Sequence, residues 1–453
     1  MLLRRIYHER LAQASYLLAC QSSGEAVVVD PLRDAAPYLE LAQREHVRIT
    51  HVVETHVHAD YVSGAAALAR AAGATLMLSG EGDPSSGYRL DRFAGSHALH
   101  DGDRFQVGAI RFDVLHVPGH TPEHLAFLVT DTAAVNVPMG MLSGDFVFVG
   151  DVGRPDLLER SVGVQGSMER SARALYRSLQ RLRDLPDHLQ LWPGHGPGSA
   201  CGKALGAVPQ STLGYERLSN WAFTTTDEGE FVRTVLAGQP DPPAYFARMK
   251  SLNPLGGLPM PSAVRLDLAA LRAAIGDGAL VVDVRRSTDF ATGHRTGAIN
   301  LPLGGAFLGW AGSVLPHDRD VVLVSSPADT GPAEEARRDL VMIGLDRVLG
   351  VLPVMDADRE DRCSTIRSLP AATLEAEEDG PLILDVRGRA EWEAGHIPGA
   401  AHLPLQELVR RLDELPRDRA IVVHCQGGSR SAIAASILQA AGHDVLDGVG
   451  GYV

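Results

Sequence analysis

THVHADYVSGA, residues 55–65, sits between the β-branched run ITHVVE (49–54) and the alanine-rich AAALARAAG (65–73). A strand ending at Val53 would deliver His56, His58 and Asp60 into a loop before a helix carries the chain away. Two imidazoles and a carboxylate then converge on one point. Further along, VPGHTPEH supplies His120, SGDFVFVGD supplies Asp145 and WPGHGPG supplies His195. Each lies among glycines or prolines that favour a sharp loop at a strand end. A lone histidine is ordinarily a surface or core residue. Four ordered clusters in one candidate domain predict a metal centre.

The 453 residues exceed what one core of roughly 100 to 200 residues uses, so two to four domains are expected. Hydrophobic residues at 45% and charged residues at 22% match folded domains and not a disordered scaffold. The net charge of −14, with no block of lysines or arginines, excludes the footprint of a nucleic-acid or anionic-membrane binder. No run approaches the ~18 apolar residues that span a bilayer. The opening MLLRRIYHERLAQASYLLAC reads as a strand, since His8, Glu9, Arg10 and Gln13 interrupt any signal-peptide core. Cys20, Cys201, Cys363 and Cys425 are scattered without CxxC pairing, so neither a disulfide framework nor a structural zinc site is expected. Reduced thiols in a cytoplasmic protein are the natural reading.

From residue 1 to about 250, strands such as EAVVVD and AIRFDVLHV alternate with helical stretches, the pattern of a layered α/β sandwich. Around 240 to 262 the sequence is dense in proline and glycine, as a linker leaving a domain would be. Beyond it lies an internal repeat. ALVVDVRRSTDFATGHRTGAINLPL (279–303) and PLILDVRGRAEWEAGHIPGAAHLPL (381–405) share DVR, an aromatic, GH, GA and LPL. Each copy is followed by an apolar strand and then helical sequence, predicting two small parallel α/β domains. The expected domains are 1–250, 263–355 and 366–453.

The ordered metal clusters resemble the metallo-β-lactamase superfamily, whose pattern is HxHxDH, then a lone His, an Asp and a His; the resemblance implies an αββα sandwich. Tyr61 stands where the dinuclear zinc hydrolases of that superfamily have a histidine. A phenolate ligand would need a group of pKa near 10 to ionise, so a mononuclear site is expected. Two histidines and one carboxylate with open positions form the facial triad of non-haem Fe(II) oxygen chemistry. The domain resembles the persulfide dioxygenases. That resemblance implies one Fe(II) per chain on His56, His120 and Asp145, with His58, Asp60, Tyr61 and His195 orienting ligands or waters. Cys201, in GSACGK, is expected near the metal mouth, and similar segments in persulfide dioxygenase/rhodanese fusions imply contact with substrate. Arg154, in GDVGRPD, is read either as holding a carboxylate of a glutathione-like thiol carrier or as making a plain surface ion pair.

In the second repeat the strand IVVH ends at Cys425, and CQGGSRS leads into a helix. A helix N-terminus, a glycine-containing turn and Arg430 favour an anionic sulfur there. This resembles the rhodanese active loop, and Asp385 and Arg387 of DVR are expected to be structural or rim groups. The first repeat has VVLVSSPADTG at that place, with Ser325 or Ser326 for the thiol and Pro327, Ala328 and Asp329 for the cradle. Serine cannot carry a persulfide, so this copy is expected to be a spacer or docking domain. Cys363 is expected to be an inert linker cysteine. Where rhodanese domains usually continue through a final helix, this sequence ends in GVGGYV.

The order of the three domains is similar to bacterial persulfide dioxygenase/rhodanese fusions of the sulfide-detoxifying type. The resemblance implies oxidation of a low-molecular-weight thiol persulfide by O2 to sulfite, and sulfane-sulfur transfer that makes or uses thiosulfate. A homo-oligomer is expected. Two alternatives stand: a zinc-dependent glyoxalase-II-like thioester hydrolase with rhodanese modules, and a sulfur-binding or sensing protein.

Overall fold

On the strand Leu125–Asp131, side chains alternate as a strand requires. Leu125, Phe127 and Val129 join one core cluster, and Ala126 and Leu128 join another. A sheet with apolar residues on both faces must be covered on both. The computed structural model, which describes residues 1–82, 87–93, 95–261, 266–326, 329–354, 363–375 and 380–452, shows how. Two six-stranded sheets face each other. The first runs in chain order from Leu2–His8 to His97–Leu99. The second is ordered Ser211–Thr212, Gln190–Pro193, Gly140–Gly144, Leu125–Asp131, Ile110–His116, Arg104–Val107.

Between the sheets lie Leu18, Val27, Val53, Phe112, Phe127 and Trp192, each buried. Each such apolar side chain contributes roughly 1.5–3 kcal/mol on leaving water. Leu175 and Leu179 of the helix Ser167–Gln180 and Phe231 of Glu228–Leu236 pack on the second sheet's far face. Ala36–Arg44 and Ala65–Ala72 contact strands of the first sheet. The αββα sandwich is therefore present. Among the described residues no helix is long and apolar enough to cross a membrane.

The chain divides into two compact units, Met1–Met260 and Pro261–Val453. The stretch expected to be a linker is, through Met260, part of the first unit. It forms the helix Phe246–Leu252 and a 3₁₀ turn, Asn253–Leu255. Its side chains grip the histidine loop. Asn253 Nδ2 donates to the carbonyls of His58 and Tyr61, both at 2.8 Å, and its Oδ1 accepts from the Ser63 N–H at 2.9 Å. Tyr245 Oη donates to the Asp60 carbonyl at 2.9 Å, and Lys250 Nζ donates to the Val57 carbonyl. Proline and glycine here shape a strap.

The second unit holds a four-stranded parallel sheet, ordered Ile299–Asn300, Leu280–Asp283, Val321–Ser325, Val348–Pro353. Beside it stands a five-stranded one, Arg367–Pro370, Val445–Val449, Ile421–His424, Leu382–Asp385, Ala401–His402. Register settles the repeat. Asp283 pairs with Val324 as Asp385 pairs with His424, so Ser325, the next residue, is the counterpart of Cys425. Pro327 and Ala328 lie outside the described residues. Cys363, between the two copies, is exposed, and the strand Cys363–Ser364 pairs with His294–Arg295 of the first repeat. The helix Ser429–Ala440 buries most of its surface, partly against the first repeat. The Asn300 N–H donates to Ser436 Oγ at 2.9 Å, and His294 Nε2 lies 2.8 Å from Gln439 Oε1.

Candidate metal centre and sulfur-transfer loop

The ends of the strands Arg48–Val53, Gly140–Gly144 and Gln190–Pro193, with the loop before Leu125–Asp131, bring the ordered clusters together. His56, His120 and Asp145 are buried and offer ligand atoms within 4.8 Å of one another. Asp145 Oδ2 is 3.4 Å from His120 Nε2 and 3.8 Å from His56 Nε2. Both Asp145 carboxylate oxygens and His56 Nε2 are buried without a hydrogen-bond partner. Such groups cost about 1–3 kcal/mol each, and more when charged, unless something satisfies them. A bound cation would do so, and the donor set of two imidazoles and a carboxylate fits one.

The surroundings orient each ligand. Thr55 Oγ1 donates to Asp30 Oδ2 at 2.8 Å, so it accepts the His56 Nδ1 proton at 2.9 Å. His120 Nδ1 donates to the Arg154 carbonyl at 3.1 Å, and His195 Nδ1 to the Ala12 carbonyl at 3.0 Å. All three rings thereby present Nε2 as a lone pair. Burial, with nearby cationic groups, holds His56 and His120 well below the usual histidine range, so both stay neutral. Burial pushes Asp145 up to about 6. Gly153 must lack a side chain, because a Cβ there would collide with the Asp145 carbonyl.

His58 has a different partner. Its Nε2 lies 3.2 Å from Asp30 Oδ1. Burial disfavours its charged form, but Asp30, Glu54 and Asp60 outweigh that and hold it at about 9. The Asp30 carboxylate thus favours the charged form of His58. Burial and then Asp30, Glu54 and Asp60 push the Tyr61 hydroxyl well above 10, which disfavours a phenolate there. That hydroxyl lies 3.4 Å from both the Asp30 carbonyl and Gln13 Nε2.

Asp60, His195 and Cys201 form a second buried group able to hold an ion. His195 Nε2 is 3.3 Å from Asp60 Oδ2 and 3.5 Å from Asp145 Oδ2, so the two groups adjoin. Burial, and then Asp60 and Asp145, push the Cys201 thiol well above 9. It is a neutral thiol beside carboxylates. Arg154 departs from expectation. Its guanidinium is fully buried and spans Asp156 at 3.1 and 2.8 Å, the Ala200 carbonyl at 3.0 Å and the Pro240 carbonyl at 2.6 Å. These bonds to Asp156, Ala200 and Pro240 serve the fold.

Several site residues escape a reading of motifs. His124 accepts the Asp145 N–H at 3.0 Å through Nε2 and stacks on His56, ring centroids 4.7 Å apart. Its only signal is a place four residues after His120. Glu123 accepts the Val57 N–H at 2.8 Å while Lys250 donates to the Val57 carbonyl. One residue of the histidine loop is thus held through both of its backbone polar groups. Lys250 carried no signal, because its stretch reads as a linker.

In the second unit, Cys425 is buried at the end of Ile421–His424. Its Sγ accepts the N–H groups of Gly428 at 3.1 Å and Ser431 at 3.4 Å, the start of the helix Ser429–Ala440. Two donors and a helix N-terminus aimed at one sulfur suit an anion. Arg387 clasps Asp385 at 2.7 Å and lies 4.3 Å over the Tyr452 ring, while the Tyr452 N–H donates to the Cys425 carbonyl at 2.9 Å. Gly451, at φ +76°, lets the chain pass against the Gln426 carbonyl where a Cβ would collide. The same clasp occurs in the first repeat, with Arg285 on Asp283 at 2.6 Å. A feature present without the thiol serves the fold.

Comparison with known proteins places both units. Residues 8–195 match the metallo-beta-lactamase superfamily and residues 370–453 the rhodanese-like domain. The chain is similar to a crystal structure of a metallo-beta-lactamase from Staphylococcus aureus subsp. aureus COL, with 42% identity and a TM-score of 0.72, covering 78% of this chain and 99% of that one. A hydroxyacylglutathione hydrolase of Methylococcus capsulatus is 34% identical over 180 residues, 40% of this chain and 60% of the relative. Less than two thirds of that hydrolase is therefore spanned. A mitochondrial persulfide dioxygenase of Bos taurus is 27% identical over 240 residues, 52% of this chain and 80% of the relative. With its αββα sandwich and buried ligand groups, the chain belongs to the metallo-beta-lactamase superfamily and carries a rhodanese-like domain after that fold.

Proposed function

We propose that the chain oxidises a low-molecular-weight thiol persulfide with O2 to sulfite, and moves sulfane sulfur through Cys425 to make or use thiosulfate. The observation that carries this reading is the trio His56, His120 and Asp145, with His58 drawn into an ion pair with Asp30 and Tyr61 held as a neutral phenol. Two imidazoles and one carboxylate are left for one ion with open positions. Fe(II) held there would supply the redox chemistry by which O2 attacks sulfur. Overall, persulfide, O2 and water give thiol and sulfite. The residues orient the ligands through Thr55, Arg154 and His124. Lys250 adds positive charge within electrostatic reach of Asp60, Asp145 and Cys201, which favours an anionic substrate.

A second reading, a zinc-dependent thioester hydrolase, is supported by the adjoining Asp60, His195 and Cys201 group and by likeness to hydroxyacylglutathione hydrolases. Two metals could share Asp145. O2 uptake by anaerobically purified, metal-assayed protein given glutathione persulfide separates the two, with His120→Ala as control. Iron at one per chain and uptake abolished in the control support the dioxygenase. Zinc, no uptake and thioester cleavage support the hydrolase.

A further inference from the structure

The Asp–Arg clasp recurs in both repeats of the second unit; a different pair accompanies the thiol. Arg430 Nη1 and Nη2 meet Glu391 Oε2 and Oε1 at 2.5 and 2.7 Å. Glu391 Oε2 also accepts the Gly388 N–H at 3.0 Å, so the carboxylate is pinned to its own helix start. The motif alignment that equates Asp283 with Asp385 puts Asp289 at the place of Glu391, and SSPADTG of the first repeat contains no arginine. This second pair is found with Cys425 and goes with its chemistry.

The geometry also says what the pair does. Ser431, the residue after Arg430, donates its N–H to Cys425 Sγ at 3.4 Å, so the guanidinium gripped by Glu391 sits on the residue next to a donor of that sulfur and within its electrostatic reach. Arg430 and Glu391 are 21% and 36% exposed, so both reach the surface beside the loop. A guanidinium bound bidentately is oriented, and its attraction for a further anion is partly offset.

We propose that Glu391 is a positioning and specificity residue: it fixes Arg430 beside Cys425 and lowers the loop's affinity for dianionic sulfur donors relative to monoanionic ones. This rests on reading Cys425 as the sulfur carrier. In that step the Cys425 thiolate attacks the outer sulfur of thiosulfate, the S–S bond breaks, and sulfite leaves with the bonding pair. A persulfide anion remains on Cys425. Cyanide then takes the outer sulfur as thiocyanate and returns the thiolate. A persulfide of a small thiol carries one negative charge at sulfur where thiosulfate carries two, so Glu391 biases the loop toward the persulfide class.

Thiocyanate formation by the full chain is measured with thiosulfate (dianion) and benzenethiosulfonate (monoanion) as donors, for the wild type, Glu391→Gln and Glu391→Asp. In Glu391→Gln, KM for thiosulfate is expected to fall about 3- to 10-fold with kcat held, while the monoanion responds by only about 2- to 3-fold, because the Coulomb interaction scales with charge. Glu391→Asp keeps the charge and is expected to keep the wild-type preference. Raised ionic strength should narrow the gap. Equal shifts for both donors, a raised thiosulfate KM, or loss of kcat alone in Glu391→Gln overturns the proposal. Absence of thiocyanate from the wild type with either donor instead removes the carrier reading beneath it.

Discussion

The side-chain amide of Asn253 donates to the carbonyl of His58 at 2.8 Å, although 195 positions separate the two residues. Through it and its neighbours, a late proline- and glycine-rich stretch becomes the support of a loop near the start of the chain. Asn253 makes three hydrogen bonds to that loop. Asn253→Ala would orphan two carbonyls and an N–H in a buried place, costing about 2–4 kcal/mol. Thermal unfolding should shift down, and metal per chain, read by elemental analysis, should fall. A variant with full metal content and unchanged melting would remove the strap from the account.

His56 and His58 are two residues apart but meet different neighbours, His56 beside His120 and Asp145 and His58 beside Asp30. His56→Ala is expected to abolish stoichiometric metal binding, whereas His58→Ala retains one ion per chain. The latter should nonetheless lose roughly 3–5 kcal/mol of stability, because Asp30 is left buried without its cation. Elemental analysis with denaturant unfolding of both variants checks this. Loss of metal in His58→Ala with stability intact would make His58 a ligand.

Metal affinity should depend on pH with a defined sign. Asp145 is held at about 6 by burial when no ion is bound, so it is mostly ionised above that value and protonated below. Protons then compete with the ion, and affinity should fall about tenfold per unit as pH drops below 6. His56 and His120, held far lower, add nothing in that window. Competition titration with a chromophoric chelator between pH 5 and 7.5 measures the slope. A flat profile would contradict the placement of Asp145 as ligand.

Arg154→Ala is expected to destabilise and not to weaken substrate binding. It leaves the buried Asp156 carboxylate without its bidentate partner, a loss of roughly 3–5 kcal/mol, and slackens the loop whose carbonyl orients His120. Arg154→Lys should restore little, since a single ammonium cannot span Asp156, Ala200 and Pro240. A stable variant with raised KM alone would return Arg154 to the substrate.

Some of this protein is written in local sequence. The ordered His, Asp and His clusters, each at a strand end among glycines or prolines, mark the candidate metal ligands because strand periodicity and turn chemistry act over a few residues. DVR, GH and LPL twice over announce the second unit's two sheets, and CQGGSRS its thiol loop, for the same reason. Tertiary structure alone decided the rest. Only strand register equates Ser325 with Cys425. Only packing turns a stretch resembling a linker into the strap of Tyr245, Lys250 and Asn253, brings His58 to Asp30 and sets Arg154 on the carbonyls of Ala200 and Pro240. Each of these depends on which buried charge or carbonyl a side chain meets across a long sequence separation, and the residue type at one position does not state its partner.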